Sequence, residues 1–513
     1  MKRFISVLLA LALMVPVAAL PAYAKVSNEF IITNPYDGVD WNKWGKYKTQ
    51  LHCHTTASDG YQTIQDAIRD YYALDYDVVA ITDHGTLNKG WNTEPDTVPI
   101  MRAIKKERTG GARATVYPVS DEEYEAYTDG TMKSVKFSYM DGDKKVTTSR
   151  KRTHKNGMLD VPKGVELNMA TPVADCHLTG YFSDYGQGLA GVYGDYETPS
   201  KGVRLAGGLS MLAHIGEYVY TDKDSYDHVG QKVDEYYVNK FARIFLDNAG
   251  SSVGMGINSA TDAHTRCDRI LYDQILQKTI PNGVVPWGFT FSDSHSDTSI
   301  NDAYTVMCMP ELTNDALKNC MLNGQFFSVS HYSNGFELNG MQEMEGYLDE
   351  NWSNVEWWKD NTPKVTKIVV DEKKDVIKVW GENFNYITWV SDGNVILRDY
   401  DCKDGYAEID LHSTKLLNKV NMFVRFYLSG DNGICYAQPM VVQRKGETFT
   451  PVDVPKTRDV STRLRTLVTV LDWALFKWNP IIWIFKYFAL GYNPFRDIIN
   501  FDNVLSIPPR WKR

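Results

Sequence analysis

No Cys-x-x-Cys pair occurs in the 513 residues, and the seven cysteines are scattered and odd in number. A cysteine-held zinc module is therefore not indicated. Positive charge is also in short supply. Lysine and arginine number 55 against 64 aspartates and glutamates, a formal charge of −9. That balance argues against a broad nucleic-acid-binding face, though not against a local basic pocket. There is no P-loop, no serine nucleophile elbow and no strand–turn–helix dinucleotide fingerprint. Glycine-loop phosphate cradling, acyl-serine chemistry and nicotinamide binding are accordingly not expected.

What is present is ordinary in bulk: 43% hydrophobic and 23% charged residues, the proportions of a globular protein. The length suggests two or three domains. The first residues, "MKRFISVLLALALMVPVAALPAYA", combine a basic start, an apolar run and a small-residue end. They predict a secretory signal over residues 1–24, in a bacterial style, and an exported, extracellular or cell-surface-associated protein. Export permits a disulfide between Cys402 and Cys435, which spacing alone does not establish.

Along the chain, "YKTQLHCHTT" reads as a strand, "TIQDAIRDYYALDY" as a helix with Ile64, Ala67, Ile68, Tyr71 and Tyr72 on one face, and "DVVAITDHG" as a buried strand. The pattern returns in "GVELNM", "LSMLAHIGEY", "VGMGINSA" and "WGFTFSDSHS", with helices expected in "VDEYYVNKFARIFLDNA" and "TRCDRILYDQILQKTI". Each apolar run closes on polar, chemically capable residues. This predicts an α/β parallel sheet or barrel with function at the strand ends. Residues 105–160 are polar and turn-rich and read as an insertion over the mouth of the site, where Lys151, Arg152 and Lys155 are candidates to hold an anion. From about residue 363 alternating runs with Asp-Gly and Asn-Gly turns predict a small all-β sandwich over 363–445. A linker over 446–462 and an apolar, tryptophan-rich tail over 463–513 follow.

The stretch "LHCHTTASDG", residues 51–60, carries most of the chemistry. Strand residues alternate faces, so His52 and His54 point one way and Cys53 the other, into the wall. Two imidazoles about 7 Å apart on one face can converge on one ion, and Asp59 lies in the turn just beyond. The other strand ends offer Asp83 and His84, Glu166, His177, His214, and Asp293 with His295. Six of the eleven histidines thus stand at such positions.

In these motifs the sequence resembles the PHP (polymerase and histidinol phosphatase) domain family, in particular its exported two-domain members. "LHCHTTASDG", "VVAITDHG", "GVELN", "CHLTGYF", "LAHIG" and "FSDSHS" occur in the family's order over about residues 46–335. The resemblance implies a distorted (β/α)7 TIM-like barrel with two or three divalent ions at the strand ends. It implies a first ion on His52, His54, Glu166 and Asp293. A second, bridged by Glu166, would be completed by His177 and His214, and a third would sit on Asp59, His84 and His295. Asp59 stands where many relatives have histidine. Gly256 or Ile257 stands where relatives often have an acidic residue, with His264 and Arg266 nearby as substrate-side candidates.

Mixed imidazole and carboxylate ligands suit zinc, manganese or iron. The expected activity is metal-dependent hydrolysis of a small phosphorylated substrate by direct water attack, as in a phosphatase, a nucleoside-bisphosphate phosphatase or a 5′–3′ exonuclease-like enzyme. Glu166, Asp83, His177 and His214 are the candidate catalytic groups. Hydrolysis of another bond, such as an amide, and a metal-dependent cell-surface binding module stay open. In the tail, Leu464, Leu467, Val468, Leu471, Leu475 and Trp478 form one apolar helical face, followed by "PIIWIFKYFAL". Peripheral attachment to a membrane surface is expected of it, docking on the protein itself or on a second subunit being the alternative.

Overall fold

In the computed structural model, which describes residues 29–96, 116–141, 143–167, 177–186, 196–219, 232–258, 267–331, 357–416 and 419–456, the chain is mixed α/β, rich in sheet and with few helices. The predicted leader (residues 1–24) and tail (463–513), His264 and Arg266 lie outside the described residues. Among the described residues no helix is long and apolar enough to cross a membrane.

The first part of the chain runs through β1 (Phe30–Thr33), β2 (Gly45–Gln50), α1 (Ile64–Ala73), β3 (Val78–Val79), α2 (Asp121–Thr128), the hairpin β4 (Val135–Asp141) and β5 (Lys144–Arg150), β6 (Leu159–Asp160) and β7 (Val165–Leu167). It continues with β8 (Leu178–Tyr181), α3 (Glu197–Leu205), β9 (Leu209–Leu212), α4 (Glu235–Asp247), β10 (Ser252–Gly256), α5 (Asp268–Thr279), β11 (Trp287–Phe289), β12 (Ala303–Met309), α6 (Asn314–Asn323) and β13 (Phe326–Ser330). The last part is all β: β14 (Lys364–Asp371), β15 (Val376–Glu382), β16 (Tyr386–Ser391), β17 (Asn394–Asp399), β18 (Tyr406–Asp410), β19 (Phe423–Gly430), β20 (Gly433–Ala437) and β21 (Met440–Arg444).

Helices α1, α4 and α5 form where the periodicity puts them, whereas α2, in the insertion, α3 and α6 are not expected from it. The Thr63 hydroxyl caps α1 by accepting from Asp66 N, and Ile64, Ala67, Ile68, Tyr71 and Tyr72 are all buried, the i, i+3, i+4 face that a core demands. Helix α5 is buried nearly all round, Asp268, Arg269 and Asp273 included. Its buried Asp273 accepts two bonds, at 2.9 and 2.8 Å, from Arg425 of β19, so a bidentate ion pair ties the helix to the C-terminal sheet.

Strands β2, β3 and β6 pair in parallel, as do β9, β10 and β11. Elsewhere the expected parallel alternation gives way. β8 lies antiparallel to both β7 and β9. Its connection to β7, residues 168–177, is shorter than the dozen or more residues that a parallel crossover takes. His177 therefore precedes its strand instead of following it, and the reversal delivers it to the same end as Glu166 and His214. Two isolated parallel bridges, Cys53 with Ser294 and His84 with Glu166, join the ends of the five-stranded sheet to the strands after β2 and β3.

The C-terminal strands do not stand apart from the rest. β20 pairs with β13 and β21 with β1, so one eleven-stranded sheet runs across the expected boundary. One buried cluster likewise runs from Ile68 and Tyr71 through Cys53 and Phe327 to Val379 and Trp389. In the described part of the insertion, Val135 and Phe137 of the hairpin turn into this core and Lys136 turns outward.

Candidate metal centre

The chain leaves β2 and carries His52 and His54 to one side, their rings 5.0 Å apart and both buried. Cys53 faces the core, its thiol 3.4 Å from the Ala80 carbonyl, and burial pushes it up to about 12, so it stays a neutral packing group. The Thr82 hydroxyl sits 2.7 Å from His52 Nδ1 and turns Nε2 toward the centre, the orienting role that a ligating imidazole needs on its other nitrogen.

Glu166 is the hub. Fully buried on β7, it lies 3.0 Å from His54 Nε2, 3.1 Å from His84 Nδ1, 3.0 Å from His177 Nδ1 and 3.4 Å from both His52 Nε2 and His214 Nε2. Asp293 Oδ1 approaches His52 and His54 at 3.1 Å each. Asp59 lies 3.3 Å from His54, 3.5 Å from His84 and 3.4 Å from His295. All nine ligands expected from the strand ends thus come together, in four overlapping groups: His54, Asp59, His84 and His295; His52, Glu166 and His214; His52, His54 and Asp293; His84, Glu166 and His177. The grouping differs in detail from the family scheme, since His84 also faces Glu166 and His177, and His54 also faces Asp59.

Close as they are, six of these atoms make no hydrogen bond among the described residues. His52 Nε2, His54 Nε2, His84 Nδ1, both Glu166 oxygens and Asp293 Oδ1 are buried without one. Six such atoms in one place would be costly if nothing satisfied them. Four donors around an ion at 2.0–2.2 Å stand about 3.3–3.6 Å apart in a tetrahedron, and the observed spacings of 3.0–3.5 Å fall at or just below that range. The residues fit divalent ions.

The electrostatics agree. Burial would raise Glu166, but His177, His84 and His52 outweigh it and hold the carboxyl well below its usual range. Asp59 is likewise held down against burial by His84, His295 and His54, and Asp293 by His52 and His295. Burial lowers His52 and His177, whereas carboxylate neighbours raise His54 and His295 against it. Anionic carboxylates among imidazoles that exchange a proton for an ion are what a metal centre needs. Two ligands also sit in strained backbone, Asp293 at φ 47° and His214 at φ 25°. Such conformations persist where the surroundings over-determine them, as functional sites do.

Asp83 does not join the ligands. Its carboxylate accepts from Thr55 N at 2.8 Å, Thr55 Oγ1 at 2.7 Å, Ser58 N at 3.1 Å and Ser58 Oγ at 2.5 Å. It fastens the loop that carries Asp59 instead of facing the space between the histidines. The loop is tight enough that a Cβ at Gly60 would stand 2.6 Å from the His54 carbonyl. Thr55, Ser58 and Thr82 are positioning residues that strand-end reading passed over; the hydroxyl-rich run "TTAS" beside "TDH" is their one local signal.

The expected anion loop is elsewhere. Arg152 is buried and bonded to Asp77 Oδ1 and the Tyr76 carbonyl, both at 2.5 Å. Asp77 also takes His154 and Asn156. It precedes β3, whereas His84 follows it, so Arg152 and the exposed Lys151 and Lys155 stand at the end of the strand away from the ligands. Arg152 is a buried structural partner. Cys402 and Cys435 are free thiols, Cys402 against the Asp399 carbonyl and Cys435 inside β20.

No protein-family model matches the sequence, and no curated protein matches it. Solved structures similar to it include a two-domain protein from Bacteroides vulgatus containing a predicted PHP-like metal-dependent phosphoesterase. That one is 12% identical with a TM-score of 0.34, over 80% of this chain and 98% of the other. A lesion-specific endonuclease, EndoQ, of Pyrococcus furiosus is 9% identical with a TM-score of 0.28, over 54% and 56%. An amidohydrolase from Chromobacterium violaceum, with bound sulfate and no metal, is 13% identical with a TM-score of 0.23, over 54% and 96%. Likeness of this extent leaves topology and activity to the chain's own residues.

Proposed function

We propose that this chain is a metal-dependent hydrolase of the PHP kind that cleaves a phosphoester in a small phosphorylated substrate. The observation that carries the reading is Glu166, whose two buried oxygens lack any hydrogen bond among the described residues while five histidines from four stretches of chain converge on them. A distorted seven-stranded barrel is the matching architecture. The two isolated bridges would close β2, β3, β7, β8, β9, β10 and β11 into one ring.

Divalent zinc, manganese or iron, two or three ions, would supply a water nucleophile at neutral pH and neutralise the phosphoryl group. The protein's part is to fix the geometry. Glu166 and Asp293 face the same space as His52 and His54, and Thr82 sets the His52 ring. Asp83 secures the Asp59 loop. His177 Nδ1 and His214 Nε2, 3.3 Å apart, both face Glu166 and would hold an ion through those nitrogens. The His295 side chain is 35% exposed and Asp293 23%, against 0% for Glu166 and His52, so substrate enters on the His295 side.

The test is elemental analysis of chelator-free protein with hydrolysis of p-nitrophenyl phosphate in ¹⁸O water. More than one transition metal per chain and label in the phosphate are expected, both lost in His52→Ala and Asp293→Ala. A phosphoenzyme trapped in turnover contradicts direct water attack. Full activity of either variant after metal stripping refutes the assignment, and inactivity of fully metallated protein on every phosphoester shifts the scissile bond to another class.

A further inference from the structure

Beside the metal centre runs an open cleft of about 610 Å³. One wall is built from residues that flank two of the ligands. Tyr61 follows Asp59 and donates its backbone N–H to the His295 carbonyl at 2.6 Å, while Ser296 and Asp297 directly follow His295. The other wall is the outward face of the β4–β5 hairpin, with Lys136, Ser138, Lys145 and Thr147. The hairpin's register explains the set. Alternation puts positions 136 and 138 on the same face as 145 and 147, and Ser138 stands opposite Thr147 with their hydroxyls 2.8 Å apart.

The charges on the two walls differ in kind. Arg69 is committed to Asp66 and Asp70, at 2.7 and 3.0 Å, and Gln62 also bonds Asp70 at 2.7 Å. Lys136 and Lys145 are exposed, and among the described residues no carboxylate pairs with either. Phe137, between Lys136 and Ser138, is 1% exposed in the core and fixes which face the lysines take. Their Cα atoms are about four strand residues, roughly 14 Å, apart, and each flexible stem can bring its ammonium to the hydroxyl pair between them. Asp297 lies on the opposite wall, so an anion is repelled from the barrel side and drawn to the hairpin.

We infer that the hairpin face of Lys136, Ser138, Lys145 and Thr147 is a second-anion subsite. It would receive a phosphate or carboxylate remote from the group that sits at the metal centre, so the preferred substrate is a small molecule with two anionic ends. The inference rests on the phosphoester reading for the first end. Lysine point charges and rotatable hydroxyls suit a mobile, partly hydrated anion, and the exposed hairpin makes discrimination a matter of binding, visible in KM more than in kcat.

The experiment compares butyl phosphate with butane-1,4-diyl bisphosphate as substrates of the metal-loaded full chain. The bisphosphate should have the higher kcat/KM by about tenfold, the scale of one charge-assisted contact, and well above the twofold due to its two equivalent ends. In the Lys136→Ala/Lys145→Ala double variant the preference should fall to that twofold. Butyl phosphate turnover and metal content should be unchanged, since both side chains are exposed. Equal rates for the two esters in the native protein, or a preference that survives the double substitution, overturns the subsite. If neither ester is cleaved, the phosphoester reading fails and the subsite is judged by calorimetry with butane-1,4-bisphosphonate against butylphosphonate. Tighter bisphosphonate binding that the double variant loses upholds it, and equal binding overturns it.

Discussion

Removing the Asp83 carboxylate separates the catalytic role expected from the sequence from the loop anchoring seen in the structure. In Asp83→Ala four donors lose a charged acceptor. The two hydroxyls can rotate, and Ser58 N keeps the Thr55 carbonyl at 3.1 Å, but among the described residues no other acceptor is in place for Thr55 N. One stranded buried N–H costs about 1–3 kcal/mol, and hydrogen bonds to charged groups contribute about 1.5–3 kcal/mol each without adding fully. A net loss of about 3 kcal/mol is expected, measured by urea unfolding in chelator so that ions do not contribute. The Asp59 loop should loosen with it. Metal content should fall by the share held at His54, Asp59, His84 and His295, while the ions near Glu166 and Asp293 stay. Asp83→Asn should lie between, since its amide presents a donor to donors. If Asp83→Ala keeps its apo stability within about 0.5 kcal/mol, its full metal content and its turnover, the anchoring argument is wrong. If it keeps stability and metal but loses turnover, Asp83 acts in the chemistry itself.

Three further outcomes follow from the packing. Cys53→Ala should retain metal and most activity at a cost of about 1–2 kcal/mol from the core; loss of one metal equivalent with the fold intact would make Cys53 a ligand. Asp273→Ala removes the carboxylate that accepts two bonds from the buried Arg425 guanidinium and should cost about 3–5 kcal/mol by denaturant titration, whereas a matched apolar pair at the two positions should cost far less; a loss below about 1 kcal/mol would show that the pair does not tie α5 to the C-terminal sheet. Burial pushes Asp160 up to about 7, opposed by its bonds from Trp91 N and Asn88. The folded chain therefore holds this proton more tightly than the unfolded one. The stability it supports is present below the ordinary carboxyl range and is lost as pH rises toward about 7. Native protein should lose stability relative to Asp160→Asn over that window, by at most about 1.4 kcal/mol per pH unit; a difference that stays flat from pH 4 to 8 contradicts it.

Much of the site could be read before the fold was known. Strand alternation alone sends His52 and His54 one way and Cys53 the other, and a polar group at the close of an apolar run stays at a strand end whatever the strand's neighbours. The helices α1, α4 and α5 follow from 3.6-residue periodicity in the same local way. Arg152 shows where such reading stops. Its chemistry suits an anion site, but its partner Asp77 is 75 residues away, and nothing in "SRKRTHKNG" records that contact. The cleft lysines show the converse, since Lys136 and Lys145 look like any solvated strand charges until the hairpin is laid beside Tyr61 and Ser296.

By itself, then, the sequence determined which side chains could ligate, that α1, α4 and α5 would be helices, and that the chemistry would gather at strand ends. These depend on backbone period and side-chain type, which act over a few residues. Tertiary structure alone decided that β8 runs backward and so delivers His177 from its leading end. It also decided that the C-terminal strands share a sheet with β13 and β1, that Asp83, a candidate catalytic group, anchors the Asp59 loop, and which lysines face the cleft. Those outcomes depend on pairings between residues far apart in the chain, and such pairings are set by the burial and hydrogen-bond satisfaction of the whole molecule.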